Sequence, residues 1–336
     1  MTCLVAAALT EIGDAWSLRI LRSALLGRTR FAQFREDISI SRGRLSDRLE
    51  HLVAHGLLRA ELYSTNRSEY RLTEKALDLY PAIMLLRAWG EKWLRAHRPP
   101  AQALIHRCGA ALAAKAVCGH CHRKIEAPDC EYSSGTGAIE ISKLDLRSTR
   151  RSSSANATGK MAESPSANAL ALIGDRWTFV ILRAMFFGAS RFDKIQEEIG
   201  IARNILASRL NVSAANGLIS RALYQSRPSR YEYKLTEKGK DLYGSIISLI
   251  TWANVWIVKR SQDTVKLRHL PCRHQLKLRV VCSSCGEQIS PHEVTVKPLD
   301  AVHDRPKRIL KPSAQRATKR HKAVVSTKKS RPPRAV

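Results

Sequence analysis

Six of the eight cysteines fall into two sets that share the spacing Cys-x9-Cys-x2-Cys. The sets are Cys108, Cys118 and Cys121, and Cys272, Cys282 and Cys285. Two thiolates three residues apart can bind one ion from a tight turn, and a third cysteine with one further ligand completes the tetrahedron that zinc prefers. The spacing therefore predicts a zinc site in each of two small modules that resemble zinc ribbons.

The spacing leaves the fourth ligand of each predicted site open. His106 precedes the first set and His269 precedes the second, and we take them as the expected ligands, with Cys130 and His274 as alternatives. A closed tetrahedral site leaves no position for a substrate, so we expect a structural role, which is favoured over metal sensing. The competing interpretation is a module of reduced cysteines without metal, which the repeated spacing disfavours.

The cysteine sets are the last part of a longer internal repeat. Ile12-Gly-Asp-Ala-Trp16 returns as Ile173-Gly-Asp-Arg-Trp177 after 161 residues, and Leu72-Thr-Glu74 returns as Leu235-Thr-Glu237 after 163. The cysteine sets are offset by 164 residues. A repeat of this length indicates a duplicated domain rather than a solenoid unit.

The charge balance points to a polyanionic partner. The 336 residues include 57 Lys and Arg against 29 Asp and Glu, a net charge of +28. Nucleic acid is the commonest partner of so basic a chain, and we expect double-stranded DNA. No apolar stretch is long enough to cross a membrane, so the expected location is cytoplasmic, in association with the nucleoid.

Composition divides the chain into six parts, which are two repeated blocks, two Cys-rich modules, a linker and a tail. These are a helix-rich block at 1–97, a Cys-rich module at 98–132, a flexible linker at 133–161, the second block at 162–262, the second module at 263–298, and a basic tail at 299–336. The tail has little apolar periodicity, so we expect it to be disordered and to bind DNA non-specifically.

Each block has the element order of a winged helix-turn-helix domain. In the first block the pattern predicts helices at Leu4–Ile12, Trp16–Leu26, Arg30–Asp37 and from Ser41 to about His55, a hairpin of Leu57–Tyr63 with Glu69–Leu72, and a helix at Glu74–Arg95 kinked at Pro81. The predicted fold class is α+β and mainly α, with two such domains, each followed by its Cys-rich module.

The helix that follows the turn is suited to the major groove of DNA, and the hairpin tip to phosphate or the minor groove. Leu45 and Leu49 are expected to face the core, which leaves the polar positions for bases and phosphates. The predicted DNA-contacting residues are Ser41, Arg42, Arg44, Ser46, Arg48 and Arg67 in the first block, and Arg203, Asn204, Ser208, Arg209 and Arg230 in the second.

The blocks resemble the HxlR family of bacterial transcription regulators. The resemblance rests on Ile-Gly-Asp-x-Trp, Ile-Leu-Arg, Arg-Phe, Ser-x-Arg-Leu, Gly-Leu and Glu-Tyr-x-Leu-Thr-Glu in that order, and it covers residues 1–97 and 162–260. Members of that family are winged helix-turn-helix proteins that bind DNA as homodimers. The resemblance therefore implies a covalent pseudo-dimer within one chain, with pairing between two chains as the alternative.

Two further expectations concern single positions. A cysteine near the start of the first helix often acts as a redox or electrophile sensor in the resembled family, and Cys3 lies there, whereas the second block has Ser164. The alternative for Cys3 is a small, semi-buried apolar side chain. The six tryptophans occupy paired positions and are expected in the core and at a dimer-type interface.

The two predicted recognition helices have diverged. Arg44 of the first corresponds to Ile205 of the second, and Gly43 corresponds to Asn204. Because an arginine can read a guanine, we expect unlike half-sites and an imperfect palindrome as the operator. The alternative is neutral drift in helices that contact mainly phosphate.

The sequence contains no recognisable catalytic motif, so an enzyme is not expected. The function predicted from the sequence is sequence-specific regulation of transcription, with Cys3 as the candidate for a redox response. The alternative is an adaptor that contacts the transcription machinery through its winged helices and zinc ribbons. The effector molecule is not indicated by any motif.

Overall fold

The structure, a computed structural model, describes residues 3–64, 67–94, 102–133, 169, 176–227, 229–258 and 265–298. The predicted linker after residue 133 and the predicted basic tail lie outside these residues. None of the helices in the described ranges combines the length and the hydropathy needed to cross a bilayer.

The first block is a winged helix-turn-helix domain. Its helices are α1 (Leu4–Ile12), α2 (Ala15–Leu25), α3 (Phe31–Ile38), α4 (Arg42–Ala54), α5 (Glu74–Leu77) and α6 (Tyr80–Trp93). The wing is the antiparallel pair β1 (Leu58–Ser64) and β2 (Arg67–Leu72). The predicted bounds of α1 are confirmed, and those of α2 to α4 agree to within about one residue.

The local sequence explains where these helices begin. Asp14 caps α2, because its carboxylate accepts hydrogen bonds from the backbone N–H groups of Trp16 and Ser17. Thr73 caps α5 in the same way. Ser41 occupies the N-cap of α4 as predicted, although its side chain makes no capping hydrogen bond.

The prediction of one kinked helix over Glu74–Arg95 is wrong, because two helices, α5 and α6, meet there. Pro81 lies in the first turn of α6, where its missing N–H removes no helical hydrogen bond. The proline therefore starts a new helix instead of bending an existing one.

The second part of the chain repeats this architecture. After the first module, which contributes β3 (Gln102–His106), β4 (Ala114–Cys118) and β5 (Cys130–Ser133), come α7 (Arg176–Phe186), α8 (Phe192–Ile199), α9 (Arg203–Ala215), β6 (Ile219–Gln225), β7 (Arg230–Leu235), α10 (Glu237–Lys240) and α11 (Tyr243–Trp256). The second module contributes β8 (Lys266–His269), β9 (His274–Gln275), β10 (Leu278–Cys282) and β11 (Val294–Pro298).

The two blocks pack against each other through α6 and α11, and α1 packs against α11 and α7. Trp89 Nε1 of α6 donates to the carbonyl of Lys238, and Trp252 Nε1 of α11 donates to the carbonyl of Lys75, both at 2.8 Å. These two contacts occupy equivalent positions of the repeat. The interface therefore has approximate twofold symmetry.

A second reciprocal pair lies one helical turn further along. Trp93 Nε1 donates to Asp241 Oδ2 at 2.8 Å, and Trp256 Nε1 donates to Asp78 Oδ2 at 2.9 Å. Each indole N–H thus has its acceptor on the other block, which satisfies donors that the interface would otherwise bury.

The strands of the Cys-rich modules pair across the repeat. β3 pairs with β11, β4 with β10, and β5 with β8, in each case antiparallel. Within this arrangement Cys118 is the register partner of Leu278, and Cys282 is the register partner of Ala114. The two modules therefore form one interlaced layer rather than two separate ribbons.

The turn between α1 and α2 generates a stability prediction. Gly13 has φ +98°, and a Cβ there would lie 2.5 Å from Ser17 Oγ, so Gly13→Ala should lower the free energy of unfolding by about 1–3 kcal/mol. Gly43 lies inside α4 with open space around it, so Gly43→Ala should raise that free energy by about 0.5–1 kcal/mol. Denaturant unfolding of both variants measures the difference, and changes of the same sign would contradict this account.

Candidate nucleic-acid interface and metal centres

Helix α4 presents the surface predicted to meet DNA. Leu45 and Leu49 are fully buried, which anchors one face of the helix and turns the other face outward. Ser41, Arg42 and Arg44 are exposed on that outer face, as the sequence pattern predicts. Ser46 is half-buried, and its hydroxyl donates to Glu50 of the same helix.

Arg44 does not project alone into solvent. Its guanidinium lies 5.5 Å from the ring centroid of Trp16, and Arg19 lies 4.9 Å from the same ring. Trp16 is half-buried, and its ring stacks against these two guanidinium groups at the basic surface. Trp16 also packs against the hydrophobic core, as the sequence predicts for the tryptophans.

Arg48 has a structural partner inside the block. Its guanidinium donates two hydrogen bonds to Asp14 Oδ2, through Nε at 3.0 Å and Nη2 at 2.8 Å. Asp14 is buried and also caps α2, so this pair fastens the recognition helix to the helix behind it. The structure therefore gives Arg48 a positioning role, which the sequence pattern did not indicate.

Helix α9 offers a less basic surface at the equivalent place. Leu206 and Leu210 are buried, whereas Arg203, Asn204 and Ser208 are exposed and Arg209 is half-buried. The guanidinium of Arg203 lies over the ring of Phe192, 5.6 Å from its centroid. Ile205, the counterpart of Arg44, is 36% exposed. The two outward faces therefore differ in charge on a common scaffold.

The wings carry matched features that the sequence reasoning missed. Arg67 and Arg230 are exposed at the hairpins, as predicted. In addition, Arg30 lies 4.8 Å from the ring centroid of Tyr63, and Arg191 lies 4.9 Å from that of Tyr224. The repeated Arg-Phe motif was the available signal for these arginines, because the same residue type recurs at both positions.

The Cys-rich layer contains two clusters that could each hold a metal ion. The ligand atoms of each cluster lie within 4.8 Å of one another. The clusters consist of His106, Cys108, Cys282 and Cys285, and of Cys118, Cys121, His269 and Cys272. Each cluster offers three thiols and one imidazole, which is a donor set typical of structural zinc.

The separations within the clusters suit a tetrahedral ion. Zn–S bonds of about 2.3 Å and Zn–N bonds of about 2.0–2.1 Å place tetrahedral ligands about 3.8 Å apart for two sulfurs and about 3.5 Å apart for sulfur and nitrogen. Cys118 and Cys272 Sγ are 3.8 Å apart, and His269 Nδ1 lies 3.3 and 3.4 Å from Cys272 and Cys121 Sγ. In the other cluster His106 Nδ1 lies 3.5 Å from Cys285 Sγ.

The turns favour the thiolate form at Cys118 and Cys282, whereas burial and neighbouring thiols raise the pKa of Cys285, and the pKa of Cys272 is raised as well. Burial would raise the pKa of Cys118, but hydrogen bonds from the backbone N–H groups of Cys121 and His120 outweigh it and lower that pKa below its ordinary value. The pKa of Cys282 is lowered by the corresponding turn of the second module. Thiolate is the form that binds a metal ion.

The prediction that each module completes its own site is wrong, because each cluster takes two residues from each module. Antiparallel pairing of β4 with β10 places the Cys-x2-Cys turn of one module beside the His and Cys of the other. The alternative ligands are not in the clusters. Cys130 is hydrogen-bonded to Tyr243, and the His274 ring stacks on that of His120 at 4.7 Å.

Cys3 is fully buried at the N-cap of α1, where its Sγ accepts a hydrogen bond from the backbone N–H of Ala6. Burial raises the pKa of this thiol, and the nearby charge of Arg183 opposes that effect without cancelling it. The helix N-terminus therefore does not make Cys3 a reactive thiolate in this conformation.

Comparison with known proteins places the winged helices in a family. The family model described as HxlR-like helix-turn-helix matches residues 11–98 and 172–261. A Mycobacterium tuberculosis protein described as an uncharacterized HTH-type transcriptional regulator is 42% identical over 130 residues, 39% of this chain and 82% of the relative.

Two further similarities involve Bacillus subtilis YodB, an HTH-type transcriptional regulator. Its sequence is 33% identical over 88 residues, 26% of this chain and 79% of that protein. The solved structure of its reduced form is 30% identical, covering 29% of this chain and 96% of that chain with a TM-score of 0.26.

The Arg48–Asp14 pair generates a second prediction. Arg48→Ala leaves a buried carboxylate without its cation and should lower the free energy of unfolding by about 1–3 kcal/mol. Arg42→Ala, at an exposed neighbouring position, should change that free energy by less than about 0.5 kcal/mol. Parallel denaturant titrations test the contrast, and an equal effect of both variants would show that Asp14 does not depend on Arg48.

Proposed function

Because the chain belongs to the HxlR-like helix-turn-helix family of transcriptional regulators and is not an enzyme, we propose that it binds operator DNA as a covalent pseudo-dimer. The reciprocal docking of α6 and α11 carries this proposal. One chain then supplies both recognition helices, α4 and α9, and both wings. Linkage favours the pairing because it raises the effective concentration of one block near the other.

The DNA-contacting residues in this proposal are exposed or half-buried polar side chains of α4, α9 and the wings. Ser41, Arg42, Arg44 and Ser46 face the groove in one block, and Arg203, Asn204, Ser208 and Arg209 do so in the other. Arg67 and Arg230 contact the backbone or the minor groove from the wings, with help from Arg30 and Arg191. Arg48 contributes mainly by holding α4 in place.

The operator in this proposal is an imperfect palindrome. Arg44 can donate two hydrogen bonds to a guanine, whereas Ile205 at the equivalent position can only make apolar contacts, for example with a thymine methyl group. The buried residues that set the two helices correspond, so the half-sites keep the same geometry and differ in preferred bases. A perfect palindrome would match at most one of the two helices fully.

An exchange of these two side chains tests the operator model. Ile205→Arg should change the preferred base in the half-site that α9 contacts and make the preferred operator more symmetric. Arg44→Ile should change the preferred base in the half-site that α4 contacts. Each change should alter relative affinity at one base position by about 5–150-fold. Selection from a random DNA library with the natural chain and both variants measures this. A symmetric preferred site for the natural chain would refute the model, and a particle of twice the 37.6 kDa mass on DNA would favour pairing between two chains.

Zinc at both clusters is part of the same proposal. The donor sets and the separations between ligand atoms support zinc as the ion. The role is structural, because four protein ligands close the tetrahedron. The residues that would hold the ions are His106, Cys108, Cys282 and Cys285, and Cys118, Cys121, His269 and Cys272.

A redox response of Cys3 requires a conformational step in this proposal. The thiol is buried at the N-cap of α1, and a raised pKa lowers its thiolate fraction at neutral pH. An oxidant can therefore reach Cys3 only after α1 opens locally from α11 and α7. Such an opening would also disturb the contact between the blocks, since α1 packs on the second block.

Site-resolved alkylation tests the buried state of Cys3. In the folded protein Cys3 should react with a small neutral alkylating agent at least about a hundredfold more slowly than in denaturant. Leu9→Ala removes a buried contact of α1 and should accelerate the reaction, whereas Gly43→Ala, in α4, should leave it unchanged. Mass spectrometry of the Cys3 peptide gives the rates, and equally fast reaction in the folded protein would rule out a buried thiol.

A further inference from the structure

The composition of the two metal clusters has a consequence for the whole chain. His106 and Cys108 come from the first module, whereas Cys282 and Cys285 of the same cluster come from the second. The other cluster is the mirror arrangement, with Cys118 and Cys121 from the first module and His269 and Cys272 from the second. An ion in either cluster would join parts of the chain that lie more than a hundred residues apart in sequence.

We propose that two zinc ions act as staples shared by the repeats and lock the two winged helices into one DNA-binding unit. The proposal rests on the zinc binding proposed above. It adds that metal occupancy determines whether the two winged helix-turn-helix domains are held together. Neither module can complete a tetrahedral site in this arrangement without the other. Metal binding and pairing of the repeats are therefore one event.

The interlaced layer contacts the helices that join the blocks. A Cβ on Gly244 of α11 would lie 2.9 Å from the Cβ of Ala116 on β4, so these two elements approach as closely as a glycine allows. Arg87 of α6 donates from Nη1 to the carbonyl of Leu112 at 3.2 Å. The layer therefore rests on both α6 and α11.

Polar contacts extend this connection to the tryptophan interface. Asp241 accepts the indole N–H of Trp93 and also forms an ion pair with Lys92, and Lys124 of the metal-binding layer lies 4.0 Å from its other oxygen. Lys124 belongs to the segment that follows the Cys118–Cys121 turn. Loss of the metal would thus loosen a layer that is continuous with the docking contacts of the blocks.

The expected effect on DNA follows from this connection. With both ions bound, α4 and α9 have one fixed separation, so a single chain contacts both half-sites at once. Without the ions, the blocks behave as two DNA-binding domains joined only by the linker. The affinity for a complete operator should then fall by about tenfold or more. Affinity for an isolated half-site should change little, because the fold of each block does not include a metal ligand.

Crossed double variants distinguish shared sites from sites within one module. Cys108→Ser with Cys282→Ser damages one shared site, so one zinc per chain should remain, whereas Cys108→Ser with Cys118→Ser damages both and should leave none. Sites confined to modules give the opposite result, namely none for the first pair and one for the second. Cys130→Ser, outside both clusters, should keep two zinc ions per chain and is the control.

A nicked form of the natural chain tests the staple even where the double variants fold poorly. A protease site inserted between residues 140 and 155 allows the full chain to be cut after purification. The two fragments should elute together in size-exclusion chromatography with zinc bound and separate after treatment with a chelator. Separation while zinc remains bound, or co-elution after zinc has been removed, would overturn the proposal.

The outcomes also separate this inference from the proposals on which it rests. If the natural chain contains no zinc when purified, both the proposed zinc binding and the proposed sharing of the sites are refuted. If the zinc content of the double variants follows the pattern for sites within one module, only the proposed sharing of the sites is refuted. Because zinc content and co-elution are measured without DNA, a failure to find sequence-selective DNA binding would leave both results interpretable.

Discussion

The reciprocal burial of tryptophans between α6 and α11 is the interaction on which the rest of the structure depends. Trp89 and Trp252 are each only 3% exposed, and each donates its indole N–H to a carbonyl on the other block. A buried indole without an acceptor would carry a penalty of about 1–3 kcal/mol. Each block therefore supplies the hydrogen-bond acceptor that the buried indole of the other block needs. This pairing sets the relative placement of α4, α9 and the interlaced strands.

The duplication keeps the polar contacts and candidate ligands that join the halves, although α6 and α11 differ at other positions, and it is relaxed on the outward faces of the recognition helices. The tryptophans, their acceptors at Lys75 and Lys238, and the metal-type ligands correspond one to one, because a change on one side would leave a buried group on the other side unpaired. Arg44 and Ile205 face outward, and their difference disturbs no packing. A chain with two linked copies can therefore read two different half-sites, which a homodimer of identical subunits cannot do.

Much of the fold could be predicted from local pattern. Helix α1 and the recognition helices follow from apolar spacing and from the glycines that end them, signals that act over a few positions. The break between α5 and α6 could not, because the pattern of apolar residues continues through it and only the packing decides whether Pro81 bends a helix or begins one. The ion pair of Arg48 could not be predicted either, because its partner Asp14 lies 34 residues away, and the local pattern indicates only a polar residue on a recognition helix.

The sequence by itself determined which residues carry the metal-binding chemistry. The repeated cysteine spacing selected six of the eight side chains that form the two clusters, and it left His106 and His269 as the expected fourth ligands beside the alternatives Cys130 and His274. Only the tertiary structure decided how these side chains are combined. Each module contributes its ligands from local turns, whereas the meeting of the ligands of the two modules depends on the pairing of β4 with β10. Strand pairing across more than 150 residues is governed by the packing of the whole molecule, and sequence spacing contains no record of it.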